Sequence, residues 1–119
     1  MKLRLRHNSI RLRLTQTEVA QLRDAGAVEE HIEFERGQRL TYRILSNSDH
    51  ETLTAEYRGG NILLTAPAPM VLAWANSAQV GMEAAGPPRL TIEKDFRCID
   101  PADAEDNVDT FPNPTCVQK

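Results

Sequence analysis

The chain has 119 residues and a formal net charge of −3, which suits one modest core and lacks the basic excess of a dedicated nucleic-acid binder. A hydrophobic share of 40% beside 26% charged residues is that of a globular domain, not of a disordered chain. No apolar run approaches the roughly 20 residues of a transmembrane helix, and an N-terminus that alternates Arg with Leu does not read as a signal peptide. The expected location is therefore the cytoplasm, with Cys98 and Cys116 as reduced thiols.

In chain order, Lys2-Leu3-Arg4-Leu5-Arg6 and Ile10-Arg11-Leu12-Arg13-Leu14 alternate apolar with basic residues around the turn His7-Asn8-Ser9. The spacing predicts a β-hairpin over 2–14, with the aliphatic side buried and the arginines in water. Thr15 and Glu18 form a Thr-x-x-Glu capping box that starts a helix. Val19, Leu22 and Ala25 lie on one face of it, and Gly26 is placed to stop it. Residues 28–35, 39–45, 53–57 and 62–65 read as strands, the last two joined by Arg58-Gly59-Gly60-Asn61. Pro67 and Pro69 suit the first turn of a second helix, whose buried side is Met70, Val71 and Trp74 and whose end is Asn76-Ser77. Strands over 79–85 and 89–96 follow, separated by Gly86-Pro87-Pro88, and the periodicity stops after Phe96.

Residue n set against n+52 aligns Arg6 with Arg58, Ile10 with Ile62, Leu12 with Leu64, Val19 with Val71 and Val28 with Val80. After a two-residue deletion, Arg39-Leu40-Thr41 falls on Arg89-Leu90-Thr91. The expected fold class is thus α+β with β dominant. It comprises about eight mostly antiparallel strands and two helices, arranged as two ββαββ halves in a barrel or strongly curved sheet. One domain is expected over 1–97, with halves 1–51 and 52–97, and an irregular acidic tail over 98–119.

Met1-Lys2-Leu3-Arg4, the run from Asn8 to Gln16, Glu93-Lys94-Asp95-Phe96-Arg97-Cys98 and Phe111-Pro112-Asn113-Pro114 together resemble a family of small uncharacterised bacterial proteins. The resemblance spans nearly the whole chain. It implies an intact bacterial protein, and it assigns no activity and no site residue.

Three places carry candidate chemistry. Lys2, Arg4, Arg6, Arg11 and Arg13 project from one side of the hairpin, and an arginine fork suits phosphate or carboxylate. The plain alternative is a solvated face, or one covered by the five acids between Asp100 and Asp109. Glu93, Asp95 and Cys98 close the last strand as a possible polar site, against a buried thiol with paired neighbours. Glu33 and Glu35 share a strand face and are expected to be exposed, because Ile32 and Phe34 take the core side. Phe111 is expected to anchor the tail. There is no glycine-rich phosphate loop and no Cys-x-x-Cys.

The function expected is a small non-enzymatic interaction or ligand-binding module with no cofactor, no metal and no catalytic residue. Its binding residues would come from Arg4, Arg6, Arg11, Arg13, Glu93, Asp95 and Cys98. The partner would be a protein or a small acidic ligand, with neither nucleic acid nor a membrane, and the chain would be a monomer or homodimer. The alternatives are a metal-binding protein or hydrolase using the acids and thiol near Glu93, and an RNA-associated factor using the arginine face.

Overall fold

The alternating N-terminus forms a hairpin of β1 (Lys2–Arg6) and β2 (Ser9–Leu14) in the computed structural model, which describes residues 1–96. Leu12 and Leu14 are buried. The arginines between them are not fully in water, however, for the Arg11 and Arg13 side chains are only 23% and 19% exposed.

Helix α1 (Gln16–Ala25) follows with the expected cap: the Glu18 backbone N–H donates to Thr15 Oγ1, and the Thr15 N–H donates to Glu18 Oε1 at 2.9 Å. Gly26, at φ 85°, closes the helix in the left-handed region, where a side chain would cost about 1–2 kcal/mol. Val19 and Leu22 face the core.

Strand β3 (Ala27–Glu33) ends in a short 3-10 turn (Glu35–Gly37), and β4 (Arg39–Asn47) and β5 (Thr54–Arg58) come next. Strand β6 (Asn61–Pro67) runs two residues beyond its expected end, so Pro67 caps the second helix and Pro69 alone lies in its first turn. Helix α2 (Ala68–Ala75) buries Val71 and Trp74, leaves Met70 half-buried and stops at Asn76. Strands β7 (Gly81–Ala84) and β8 (Arg89–Lys94) are shorter than their apolar runs suggested. No helix among the described residues is long and apolar enough to cross a membrane.

The α+β, β-dominant reading holds for these eight strands and two helices, but the strands form two separate sheets and no closed barrel. One sheet has the order β1-β2-β8-β7 and the other β3-β4-β6-β5. In each, two antiparallel hairpins meet along a central parallel pair, β2 with β8 and β4 with β6. Most of the pairings are antiparallel, as expected, and the two parallel pairs leave no local mark, because hairpins announce themselves through turn residues whereas parallel neighbours lie far apart in sequence. Side chains from both sheets and both helices share one core, with Leu12, Leu22, Ile44, Leu64, Trp74 and Ile92 at its centre.

Ile32 and Phe34 depart from expectation. Alternation puts both on the core side, yet they are 44% and 57% exposed. Ile32 does share its face with buried Val28, since the two lie four residues apart on one strand. The far end of that face is simply left uncovered. Glu33 and Glu35 are exposed, as expected.

Candidate functional site

Strand register decides which of the candidate residues meet. Antiparallel pairing sets Lys2 opposite Arg13 and Arg4 opposite Arg11. Directly opposed residues share a sheet face, so these four cations lie side by side. Parallel pairing of β2 with β8 then sets Glu93 beside Arg13.

Arg13 Nε donates to Glu93 Oε2 at 2.9 Å, and Arg11 Nη1 stands 3.6 Å from the same oxygen. Glu93 is 3% exposed, the most deeply buried charged side chain among the described residues. At the strand end, Lys2 Nζ lies 3.0 Å from Asp95 Oδ2. Lys2, Arg4, Arg11 and Arg13 line a cleft of about 440 Å³ with Leu3 and Leu5. Arg6 sits at its outer end, opposite Ser9, whose hydroxyl donates to the Arg6 carbonyl at 2.6 Å.

Two regions 80 residues apart in sequence, the arginine hairpin and the Glu93–Asp95 stretch, therefore form one charged cluster. Cys98, Cys116, Phe111 and the acidic run from Asp100 to Asp109 lie outside the described residues, as does the expected docking of that run on the arginines. Elsewhere, His31 Nε2 stands 3.5 Å from Glu33 on exposed β3. Among the described residues, no group of three or more His, Cys, Asp or Glu side chains is placed to hold a metal ion.

A second cluster escaped the sequence. The Met1 α-amine donates to Glu18 and, at 2.8 Å, to Glu30 Oε2; Tyr42 Oη donates to Glu30 Oε1 at 3.1 Å. The sequence marks Glu18 as a helix-capping residue only, and nothing in the local pattern links it to Glu30 twelve residues on. The alternation around Glu30 was the sole signal, because it puts this acid on the same strand face as buried Val28.

Burial works against charge on the amine, but the hydrogen bonds and charges of Glu18 and Glu30 outweigh it and raise its pKa above the ordinary 8.0. Burial likewise opposes charge on Glu18, and the bonds from the amine and from the Thr15 N–H outweigh it, lowering the pKa below 4.5. The raised amine stabilises the fold fully below pH 8.0 and loses that contribution as pH rises through its folded value. The lowered carboxyl contributes above pH 4.5 and loses this as pH falls through its own folded value. Urea unfolding should accordingly give a plateau between these limits with a decline on each side, and Glu18→Gln should shallow both declines. Unchanged limbs in that variant would count against the assignment.

A family model described as a family of unknown function, DUF7009, matches residues 1–115. No curated protein and no solved structure matches the chain.

Proposed function

The chain belongs to the DUF7009 family of unknown function, and from that footing we propose that it is a non-catalytic binding module whose arginine cleft takes an acidic ligand. The observation that carries this reading is the buried Glu93 beneath Arg11 and Arg13. One carboxylate shared by two guanidiniums fixes their planar forks without cancelling their charge. Lys2 and Arg4 complete the wall of the cleft, so cations outnumber the two nearby carboxylates, Glu93 and Asp95. Arg4, Arg6, Arg11 and Arg13 each already have a partner, so a ligand must exchange with existing contacts. Such exchange favours ligands with several carboxylate or phosphate groups.

The two alternatives lack a comparable observation. Glu93 and Asp95 face Arg13 and Lys2, and cations are the wrong neighbours for a divalent metal. A single-stranded RNA surface uses aromatic side chains between its basic ones, and the hairpin strands supply only aliphatic ones.

The same reading treats residues 1–97 as one domain built from a tandem ββαββ repeat. In its support, β1, β2 and α1 begin at residues 2, 9 and 16, and β5, β6 and α2 at 54, 61 and 68, each 52 later. By that offset the positions matching Arg11 and Arg13 are Leu63 and Thr65, and with the two-residue deletion Glu93 matches Arg43. The acid-base cluster thus belongs to one sheet only, and both halves supply it, Arg11 and Arg13 from the first and Glu93 from the second. A bacterial origin and a cytoplasmic location accompany this proposal.

Calorimetry with tripolyphosphate and with a hexaglutamate peptide at low salt provides the test. Binding should be measurable and should weaken as salt rises, because the cleft is open to screening ions. The Arg11→Gln/Arg13→Gln variant should lose at least about tenfold in affinity, equivalent to about 1.4 kcal/mol. If neither anion binds, or if the double variant binds as well as the parent, the cleft is not an anion site.

A further inference from the structure

We propose that the basic edge strand β1 and the acidic edge strand β3 are the two halves of a homodimer seam, with β1 of each copy pairing with β3 of the other. Among the described strands each has one neighbour and stands at the outside of its sheet, the position from which strands add to one another.

Their side chains match on both faces. On the outer face β1 carries Lys2, Arg4 and Arg6, and β3 carries Glu29, His31 and Glu33, so Lys2 and Arg6 can meet the two carboxylates with Arg4 between them. On the inner face β1 carries Leu5, 59% exposed, while β3 carries Ile32 and leads into Phe34, 44% and 57% exposed. Edge-to-edge pairing that keeps the faces aligned sets cations against carboxylates outside and covers the three apolar side chains inside. Alternation has period two on both strands, so one register satisfies both requirements.

Glu29 and Glu33 already face Arg43 at 3.7 Å and Arg39 at 3.1 Å, and Arg4 and Arg6 also have partners, so the seam forms by exchange with these contacts; the acid pairs are about half exposed and leave carboxylate oxygens for further cations. The other outer strands among the described residues lack such rows of one sign: at the positions of Lys2, Arg4 and Arg6, β5 has Thr54, Glu56 and Arg58, and β7 carries the single charge Glu83.

The position of the edges favours a closed pair. The Met1 amine bonds Glu30, so β1 starts beside β3 and both edges lie on one side of the molecule. A two-fold axis on that side lets two copies form both seams at once. Such an isologous contact closes and leaves neither edge free to extend a filament. Lys2 and Arg4 belong to both the seam and the wall of the anion cleft, whereas Arg11 and Arg13 stay outside the seam and Glu29 and Glu33 outside the cleft, so the two sites can be tested apart.

Sedimentation of the full chain at micromolar concentration should give twice the 13.3 kDa monomer mass. The variants Arg4→Glu/Arg6→Glu and Glu29→Arg/Glu33→Arg should each be monomeric alone, because like charges then face each other along both seams. Mixed in equal amounts, they should form a heterodimer, because each seam then pairs opposite charges again. Leu5→Glu, at an exposed position, should also give a monomer with unchanged circular dichroism, which separates loss of the seam from loss of the fold. A monomeric parent chain would overturn the proposal and leave the β1 cations as guards against edge-to-edge aggregation. Dimers that persist in both charge-reversed variants, or a mixture that stays monomeric, would overturn it as well. Glu29→Arg/Glu33→Arg should still bind tripolyphosphate, so failure of the seam and failure of the cleft are told apart.

Discussion

Replacing Trp74 with Ala should come close to unfolding the protein, at a cost of about 3–5 kcal/mol. Trp74 is fully buried on α2, the largest of the completely enclosed side chains. Its Nε1–H donates to the Val80 carbonyl at 3.0 Å, which ties the end of α2 to the segment entering β7. Lys94 Nζ lies 5.8 Å from its ring centroid and donates at 2.7 Å to the Ser77 carbonyl, so β8 is fastened to the same corner. Truncation therefore opens a cavity where both sheets and both helices meet, and it leaves the Val80 carbonyl with the Lys94 N–H as its donor. A domain of this size has only about 5–15 kcal/mol in total, so the melting temperature should fall by well over about 10 °C. Trp74→Phe keeps most of the volume and loses the hydrogen bond, so it should cost only about 1–2 kcal/mol. Thermal or urea unfolding of the pair reads the difference; equal losses in the two variants would deny the ring its place as the keystone of the core.

The second large effect is expected at Glu93. Removing one partner of a buried ion pair leaves an uncompensated charge, which typically costs about 3–5 kcal/mol. Arg11 and Arg13 retain about a fifth of their exposure and can turn partly to water, which lowers the expected loss for Glu93→Ala to about 2–3 kcal/mol. Most of the cost comes from the two guanidiniums, which lose the buried carboxylate they share. Deleting Arg11 and Arg13 as well should therefore recover part of it, and the triple variant should be more stable than a sum of separate losses predicts. Strict additivity in that cycle would mean that Glu93 acts through its own packing alone. Because the carboxylate is buried, the coupling should also survive added salt that screens the open cleft.

How much of this was legible in the sequence varies with the range of the interaction. The hairpin over 2–14, the capping box at Thr15, the glycine stop at Gly26 and the buried positions Val19, Leu22, Val71 and Trp74 were all predicted. Each is encoded within a few residues, by period, by a cap or by a conformational preference. Ile32 and Phe34 show the limit of the same logic. Alternation assigns a face correctly and cannot say whether anything covers it.

The charged cluster was legible in its parts. Arg4, Arg6, Arg11 and Arg13 were grouped from their spacing, and Glu93 and Asp95 from theirs, yet they stood as separate candidates. No signal within either stretch joins them, because the link is the register of a parallel strand pair that brings residue 13 beside residue 93. The Met1–Glu18–Glu30–Tyr42 cluster was missed for the same reason, since its members come from a chain end, a helix and two strands.

By itself, then, the sequence determined which segments become strands and helices and which side of each avoids water, since these follow from neighbours in the chain. The exchange of hairpins between the two sheets was decided only in three dimensions, and so was the burial of Glu93 beneath two arginines. Both depend on how apolar faces distant along the chain find each other, and hydrophobic burial is non-directional, leaving no local record of which face pairs with which.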